Sequence, residues 1–257
     1  SSQPMQDVYR LVARVLNTDL NVLITGESGT GKSLLAKTLH ELGHRSHESF
    51  VTIIASTATP ATLESVILGS ENEGALEPAP ANATLYLDEI AEMSAESQLH
   101  LLDLLQSQGV RSKNFRIISS TRQELVNLVN EGIFREDLFY RLNVMPMTLP
   151  PLRERLDDIA ELTQFFLRRA AEQGMPNKSI AKFALEKMRL ALWAGNVREL
   201  ENFVQQLIVL SPYDEISGDF VEQKLKQLPK VKSDNEPLSG EKLSSAVEAH
   251  IRRYFDL

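Results

Sequence analysis

Short apolar runs rich in β-branched residues alternate with segments of helical periodicity along the first part of the chain. This pattern predicts buried strands separated by helices, and therefore an α/β fold built on a parallel sheet. Prolines at 146, 150 and 151 cannot continue a helix, so the α/β part is expected to close near residue 152. The predicted strands are Leu20–Thr25, Phe50–Ile54, Thr84–Glu89 and Phe115–Ser120.

After Asp157 the pattern is helical only, which predicts a second, all-helical subdomain. We expect an α/β subdomain in 1–152, a helical subdomain in 153–229, and a polar linker with the start of another helix in 230–257. The predicted helices are 5–16, one from Lys32, 61–68, 94–106, 124–130, 157–173, 180–192, 197–210, a short one ending near 228, and 243–255. The side chains predicted to face inward from two of them are Leu99, Leu102, Leu105, Ile159, Leu162, Phe165 and Phe166.

A glycine-rich stretch, GESGTGKSL at 26–34, lies between the first predicted strand and the following helix. Its glycines permit a tight turn that points successive backbone N–H groups at phosphate oxygens, and the helix adds the positive end of its dipole. Lys32 would place a cation on the outer phosphates, and the Ser33 hydroxyl could hold Mg²⁺. A ligand-free glycine turn is the alternative. The predicted ATP- or ADP-binding residues are Gly26, Glu27, Ser28, Gly29, Thr30, Gly31, Lys32, Ser33 and Leu34.

Two acids end the third predicted strand, about one βαβ excursion after the glycine loop. Asp88 is expected to hold the magnesium ion through water, and Glu89 to polarise an attacking water. Many strands end in acids, so the pair gains its meaning from the loop upstream. Together the two motifs predict a nucleotide site with Asp88 and Ser33 at the metal.

Composition limits the classes of function that remain. The chain has 257 residues, a net charge of -8 and no cysteine, which excludes disulfides and thiolate metal sites. No apolar run approaches the roughly 20 residues of a membrane span, and a cytoplasmic protein without a membrane partner is expected. The acidic balance argues against a broad nucleic-acid surface, so any DNA-binding domain is expected outside this chain.

Histidines and arginines offer two further candidate sites. His40, His44 and His47 have helical spacing, but no carboxylate or thiol completes a metal site, so ordinary histidines near a helix C-terminus are favoured. Arg135 and Arg141 are flanked by acids and aromatics, and in isolation they are typical of exposed ion pairs.

Four ordered strings carry a resemblance to a known family: GESGTGKS, FREDLFYRLNV, LPPLRERLDDI and WAGNVREL. They resemble the AAA+ ATPase domain of bacterial enhancer-binding proteins, which activate sigma-54 RNA polymerase. Within that family the resemblance is greatest to the response regulators of nitrogen metabolism. The resemblance implies a helical lid, a self-association from dimer to ring, and a C-terminal DNA-binding domain beyond this chain. It also implies that Arg135 and Arg141 are arginine fingers reaching a neighbour's nucleotide, and that Arg198 is a sensor of the phosphates.

The chain also departs from that family. Between 70 and 83 there is no GAFTGA string, the sequence with which the family contacts sigma-54, and a second family loop is reduced to QGVRSKN. Ile54 and Arg122 stand where the family carries asparagines that position the catalytic glutamate and sense the γ-phosphate, and Ala194 replaces a usual proline. Since the loop and both acids remain, we expect nucleotide binding with slow or poorly controlled hydrolysis.

These departures favour an activator that works with housekeeping-sigma RNA polymerase, in which nucleotide promotes oligomerisation. Two alternatives stay open. One is a fully active AAA+ ATPase that remodels another protein or nucleic acid, and the other is an assembly module stabilised by nucleotide.

Overall fold

The computed structural model describes residues 2–69 and 78–228, and it confirms the α/β fold with a helical C-terminal part. The five-stranded parallel sheet has the order β2-β3-β4-β1-β5. Its strands are β1 (Val22–Thr25), β2 (Phe50–Ile54), β3 (Thr84–Asp88), β4 (Arg116–Thr121) and β5 (Met145–Thr148). Residues 70–77 of the stretch 70–83, the predicted helix 243–255 and the predicted linker lie outside the described residues.

The helices of the first part flank the sheet and those of the second part pack on one another. They are α1 (Gln3–Val15), α2 (Lys32–Glu41), α3 (Pro60–Leu68), α4 (Ala95–Gln106), α5 (Gln108–Lys113), α6 (Leu125–Asn130), α7 (Glu136–Leu142), α8 (Asp158–Glu172), α9 (Lys182–Arg189), α10 (Asn196–Leu210) and α11 (Gly218–Leu225). Within the described part of the chain, no helix is long and apolar enough to cross a membrane.

Strand β5 is an element that the hydrophobic pattern did not predict. It contains Pro146, which has no N–H to donate, and among the described strands it pairs with β1 alone, at one edge of the sheet. An edge strand has one unpaired side, so a proline is tolerated there. The short helices α5 and α7 were likewise not predicted.

Side chains that alternate along the strands divide the core between the two faces of the sheet. On one face Leu23, Leu85 and Leu87 belong to one buried cluster, whereas Val22 and Tyr86 belong to the cluster on the other face. Helix α2 packs in this second cluster. The alternation therefore directs Tyr86 towards the same side of the sheet as the helix that follows the glycine loop.

The helical part has its own core, in which the indole of Trp193 packs edge-to-face on Phe203 at a centroid distance of 5.4 Å. The expectation of helices only is wrong in one respect, because β6 (Ser179–Ile180) and β7 (Glu215–Ile216) form a two-stranded parallel sheet. Ile180 therefore lies in a strand instead of beginning a helix, and α9 starts two residues later.

Two of the predicted inward-facing side chains point elsewhere. Leu99 is 44% exposed, because the buried arc of α4 is centred on Gln98 and Leu101. The Gln98 side chain occupies an inward position and donates to Met93 O and accepts from Arg135 N. Phe165 is 48% exposed, and its ring lies in a cavity between the two parts of the chain.

Candidate functional site

The glycine loop connects the end of β1 to the start of α2, as the sequence predicts. Gly29 and Gly31 have φ angles of +77° and +107°, which side chains with a Cβ rarely adopt. Gly31 is the N-cap residue of α2, so the first free N–H groups of that helix open into the loop. This geometry fits an anion such as a phosphate.

Lys32 is buried at 6% exposure and lies inside the loop that precedes it. Its ammonium Nζ donates to Gly26 O at 2.9 Å and to Glu27 O at 3.3 Å. It also forms an ion pair of 2.9 Å with Glu89 Oε1. The charge of the loop lysine is therefore balanced by a carboxylate of the same chain.

Glu89 follows β3 directly and has a left-handed backbone with φ of +54°. A non-glycine residue in this region is a mark of local constraint and is frequent at functional sites. Its oxygen Oε1 pairs with Lys32, and its other oxygen, Oε2, accepts a 2.9 Å hydrogen bond from Arg122 N. One carboxylate oxygen is thus engaged by the loop lysine and the other by the backbone that follows β4.

The phenolic hydroxyl of Tyr86 joins the residues proposed to hold the metal. It donates to Asp88 Oδ1 at 2.7 Å and lies 3.1 Å from Ser33 Oγ, while Ser120 Oγ donates to the same Asp88 oxygen at 2.7 Å. Burial raises the pKa of Tyr86 well above its ordinary value of 10.0, so the hydroxyl stays protonated. Ser33 and Asp88 are thereby brought together.

These groups suit magnesium better than a metal that needs a full cage of side chains. A hydroxyl and a carboxylate are the hard oxygen ligands that Mg²⁺ takes from proteins, with water and phosphate completing its shell. Among residues 2–69 and 78–228 no group of three His, Cys, Asp or Glu side chains could hold a metal ion. His40 contacts Thr84 and His44 contacts Asp19, so the histidines do not converge.

The helical part holds the glycine loop from outside through the start of α10. Val197 N and Arg198 N donate to Gly29 O at 3.0 Å and 3.3 Å. The buried Asn196 side chain donates to Ser28 O at 2.9 Å and accepts from Leu152 N at 2.7 Å. The loop conformation therefore depends on residues of the second part of the chain.

Two arginines of the connection between the two parts also contact the glycine loop. Arg153 donates to both Glu27 carboxylate oxygens, at 2.8 Å and 2.6 Å, and Arg155 donates to Thr30 O at 2.8 Å. The Arg153 hydrogen bonds hold the pKa of Glu27 below its ordinary value of 4.5. Both arginines lie in LPPLRERLDDI, one of the strings that carry the family resemblance. Neither spacing nor composition indicated that this segment would contact the glycine loop.

A cavity of about 530 Å³ opens between the loop and the helical part. Asp88, Glu89 and Arg122 line its sheet side, and Arg198 lines it from α10. Arg135 and Arg141 do not line it. Arg135 pairs with Asp137 at 2.7 Å, and Arg141 Nη2 donates to Leu105 O at 2.6 Å beside a different cavity. The predicted site residues that line this cavity are Ser28, Gly29, Gly31, Lys32, Ser33, Leu34, Asp88, Glu89 and Arg198, whereas Gly26, Glu27 and Thr30 belong to the loop without lining the cavity.

Sequence reasoning did not identify Tyr86, Asn196, Arg153 or Arg155 as parts of the site. A signal existed for Tyr86, because residues two apart on a strand share a face and Asp88 is two residues further on. For the other three, the contacts join segments that are distant along the chain, and periodicity carries no such information.

Comparison with known proteins gives a consistent family. Residues 1–148 match the family model described as the sigma-54 interaction domain, and residues 153–237 match the AAA+ ATPase lid domain. The transcriptional regulator NtrC of Azospirillum brasilense is 42% identical over 272 residues, covering 99% of this chain and 56% of that protein. NtrC of Rhizobium meliloti is 40% identical, with 99% and 57% covered.

Solved structures agree with this result. NtrX from Brucella abortus in complex with ATP superposes with a TM-score of 0.76 at 33% identity, covering 99% of this chain and 60% of that one. The RuvB branch migration motor of Thermotoga maritima, at 15% identity and a TM-score of 0.64, shares the fold. The chain spans just over half the length of the curated relatives. The matches over both parts of the chain show that it belongs to the sigma-54 interaction domain family of AAA+ ATPases.

Proposed function

We propose that this chain is the nucleotide-binding central domain of an NtrC-like transcriptional activator, a response regulator of nitrogen metabolism that binds DNA through a further domain. The observation that carries the proposal is Lys32, which lies buried in the glycine loop, where Glu89 is the carboxylate that pairs with it among the described residues. Bound ATP or ADP supplies phosphates that can take over this role. The relatives named NtrC and the ATP complex of NtrX support the same assignment.

Different residues of the site would bind the phosphates, the magnesium ion and the attacking water. The loop N–H groups, Lys32 and Arg198 would bind phosphate, and Ser33 with Asp88 would hold Mg²⁺. Glu89 is the group that could polarise water, but Lys32 and Arg122 N hold its carboxylate. Two of the acceptor positions of this carboxylate are therefore occupied, which restricts how Glu89 can orient towards a water and supports slow hydrolysis.

The end of strand β2 supports the same conclusion. Ile54 pairs in register with Asp88 and is 55% exposed, so an apolar side chain stands opposite this acid on the neighbouring strand. It cannot donate a hydrogen bond to Glu89 or to a water. A polar group that could align the attacking water is missing at this position, and alignment is a large part of phosphoryl-transfer catalysis.

Calorimetric titration with ATP and ADP, each with Mg²⁺, tests the nucleotide assignment. The Lys32→Ala variant should lose binding, because the site then lacks its buried cation. Lys37→Ala is the matched control, since Lys37 lies on the same helix but is 61% exposed and pairs with Glu41. Equal affinities in Lys32→Ala and Lys37→Ala would overturn the proposal.

We further propose that the activator works with housekeeping-sigma RNA polymerase. The support is in the sequence, which has no GAFTGA string between residues 70 and 83 with which to engage sigma-54. Open-complex formation by the full-length protein should occur with housekeeping-sigma holoenzyme and fail with sigma-54 holoenzyme. The reverse result would contradict this part of the proposal.

A fully active AAA+ ATPase acting on another target is the second candidate. The position of Glu89 beside Lys32 favours it, because the proposed base lies within the nucleotide cavity. Steady-state phosphate release at several protein concentrations separates the two. Rapid turnover that rises with concentration supports the ATPase, and binding with little turnover supports the slow activator.

A further inference from the structure

Tyr86 lies behind the two residues proposed to hold magnesium. Ser33 and Asp88 line the nucleotide cavity, whereas Tyr86 is 2% exposed and is not among the residues that line it. Its ring stacks on Phe50, with the centroids 5.7 Å apart and the planes at 21°. The phenolic hydroxyl is therefore fixed on the side of Ser33 and Asp88 that faces away from the cavity.

The phenol has a single proton, and its surroundings commit that proton to Asp88. Three side-chain oxygens lie near the hydroxyl: Asp88 Oδ1 at 2.7 Å, Ser120 Oγ at 2.9 Å and Ser33 Oγ at 3.1 Å. A carboxylate oxygen is a stronger acceptor than a hydroxyl and is also the nearest of the three. Ser120 Oγ donates to the same Asp88 oxygen at 2.7 Å. Two O–H groups thus converge on one oxygen and fix the orientation of the Asp88 carboxylate.

The same assignment decides where the proton of Ser33 points. Because the phenolic proton is directed at Asp88, the 3.1 Å contact is a hydrogen bond only if Ser33 Oγ donates and the phenolic oxygen accepts. A serine hydroxyl has one proton and two lone pairs, so both lone pairs of Ser33 remain available to other partners. A cation is bound by a lone pair and repelled by a hydroxyl proton. Tyr86 therefore holds Ser33 in the orientation that a metal ligand requires.

We infer that Tyr86 is a positioning residue that orients Ser33 and Asp88 for Mg²⁺ before nucleotide binds. The inference rests on the proposed function, since it requires a nucleotide with its metal in this cavity. Mg²⁺ demands near-ideal octahedral geometry, so ligands that are already oriented need not be ordered when the metal binds. Removing a hydrogen-bond partner of a metal ligand typically lowers metal affinity about 10- to 100-fold.

Calorimetric titration with ATPγS, a slowly hydrolysed ATP analogue, in Mg²⁺ and in EDTA tests the inference. The ratio of the two affinities measures how much the metal contributes to nucleotide binding. Tyr86→Phe should lower this ratio about tenfold. It should leave the affinity in EDTA within about twofold of wild type, because the ring keeps its place on Phe50 and the glycine loop is unchanged. Tyr213→Phe removes the hydroxyl of a 73% exposed tyrosine in the helical part and should change neither affinity.

A Ser33→Ala background shows whether Tyr86 acts through the metal ligands. The contact with Ser33 is already absent there, so adding Tyr86→Phe should lower the ratio much less than it does in wild type. The inference would be overturned by a wild-type ratio of one, by an unchanged or higher ratio in Tyr86→Phe, or by equal decreases in both backgrounds, while nucleotide binding itself stands. A wild-type protein that binds ATPγS in neither condition would overturn the proposed function and this inference together.

Discussion

Asn196 Nδ2 donates to Glu27 Oε2 over 3.1 Å, although 169 residues separate the two along the chain. The same amide donates to Ser28 O, and its oxygen accepts from Leu152 N. Asn196 is fully buried and has a left-handed backbone with φ of +55°. One side chain therefore joins the glycine loop to the start of α10 and to the connection between the two parts.

Replacing this residue should destabilise the fold. In Asn196→Ala, Leu152 N loses its partner in a buried place, and alanine must adopt a left-handed backbone, so a loss of about 2–4 kcal/mol is expected. Asn196→Gly accepts the backbone conformation and should lose less. Urea unfolding of wild type, Asn196→Ala and Asn196→Gly measures the loss of free energy of unfolding in each variant. An unfolding midpoint of Asn196→Ala equal to that of wild type would show that the contacts of this side chain do not stabilise the fold.

Gly29 and Gly132 form a matched pair for testing the close approach of the helical part to the loop. Their φ angles are +77° and +73°. A Cβ atom added to Gly29 would lie 2.2 Å from Gly195 O, whereas a Cβ atom added to Gly132 would have no neighbouring atom within 4 Å. Alanine at either position strains the backbone by about 1–2 kcal/mol. Gly29→Ala should lower the thermal midpoint clearly more than Gly132→Ala, since it also forces the loop away from α10. Equal shifts would show that the approach is not needed.

The ion pair between Glu27 and Arg153 should make stability depend on pH. Arg153 lowers the pKa of Glu27 from its ordinary 4.5, so the stabilisation is complete above about pH 4.5 and disappears as pH falls through the lower folded value. Both side chains are more than two-fifths exposed, which limits the effect to about 0–1 kcal/mol.

The variant Arg153→Gln isolates this contribution. Its deficit in free energy of unfolding against wild type should be largest near neutral pH and shrink below about pH 4.5. Arg10→Gln, which breaks an exposed pair on α1, is the control for general loss of a surface charge. A deficit that stays constant down to pH 3 would exclude the ionised pair as its origin.

Arg135 and Arg141 test whether nucleotide and assembly are linked. If they reach the phosphates of a neighbouring subunit, charge-assisted hydrogen bonds form only in the oligomer, and nucleotide promotes self-association. The double alanine variant should lose this dependence but keep most of the nucleotide affinity, because neither arginine lines the cavity of its own chain.

Sedimentation velocity of wild type and double variant, with and without ATP and Mg²⁺, gives the answer. Only the wild type with nucleotide should shift to larger species. Identical distributions of sedimentation coefficients in all four samples would contradict both the assignment of these residues as arginine fingers and the proposed ring.

Features made from consecutive residues could be read from the sequence. The order of strand, glycine loop and helix around Gly31 and Lys32 was predicted correctly, because the loop is built from neighbouring backbone groups. Strand β3 and its terminal acid Asp88 were found for the same reason. The β5 strand was not, since Pro146 opposes strand formation locally and is accepted only because the sheet leaves one side of that strand unpaired.

The sequence by itself determined the glycine loop with Lys32 and Ser33, the acids Asp88 and Glu89, and the phosphate chemistry that suits these groups. Tertiary structure alone decided how they are held: Tyr86 connecting Ser33 to Asp88, Glu89 between Lys32 and Arg122, and Asn196 against the loop. The physical reason is that a hydrogen bond requires atoms about 3 Å apart. For segments far apart along the chain, only the folded packing of sheet and helices sets that distance.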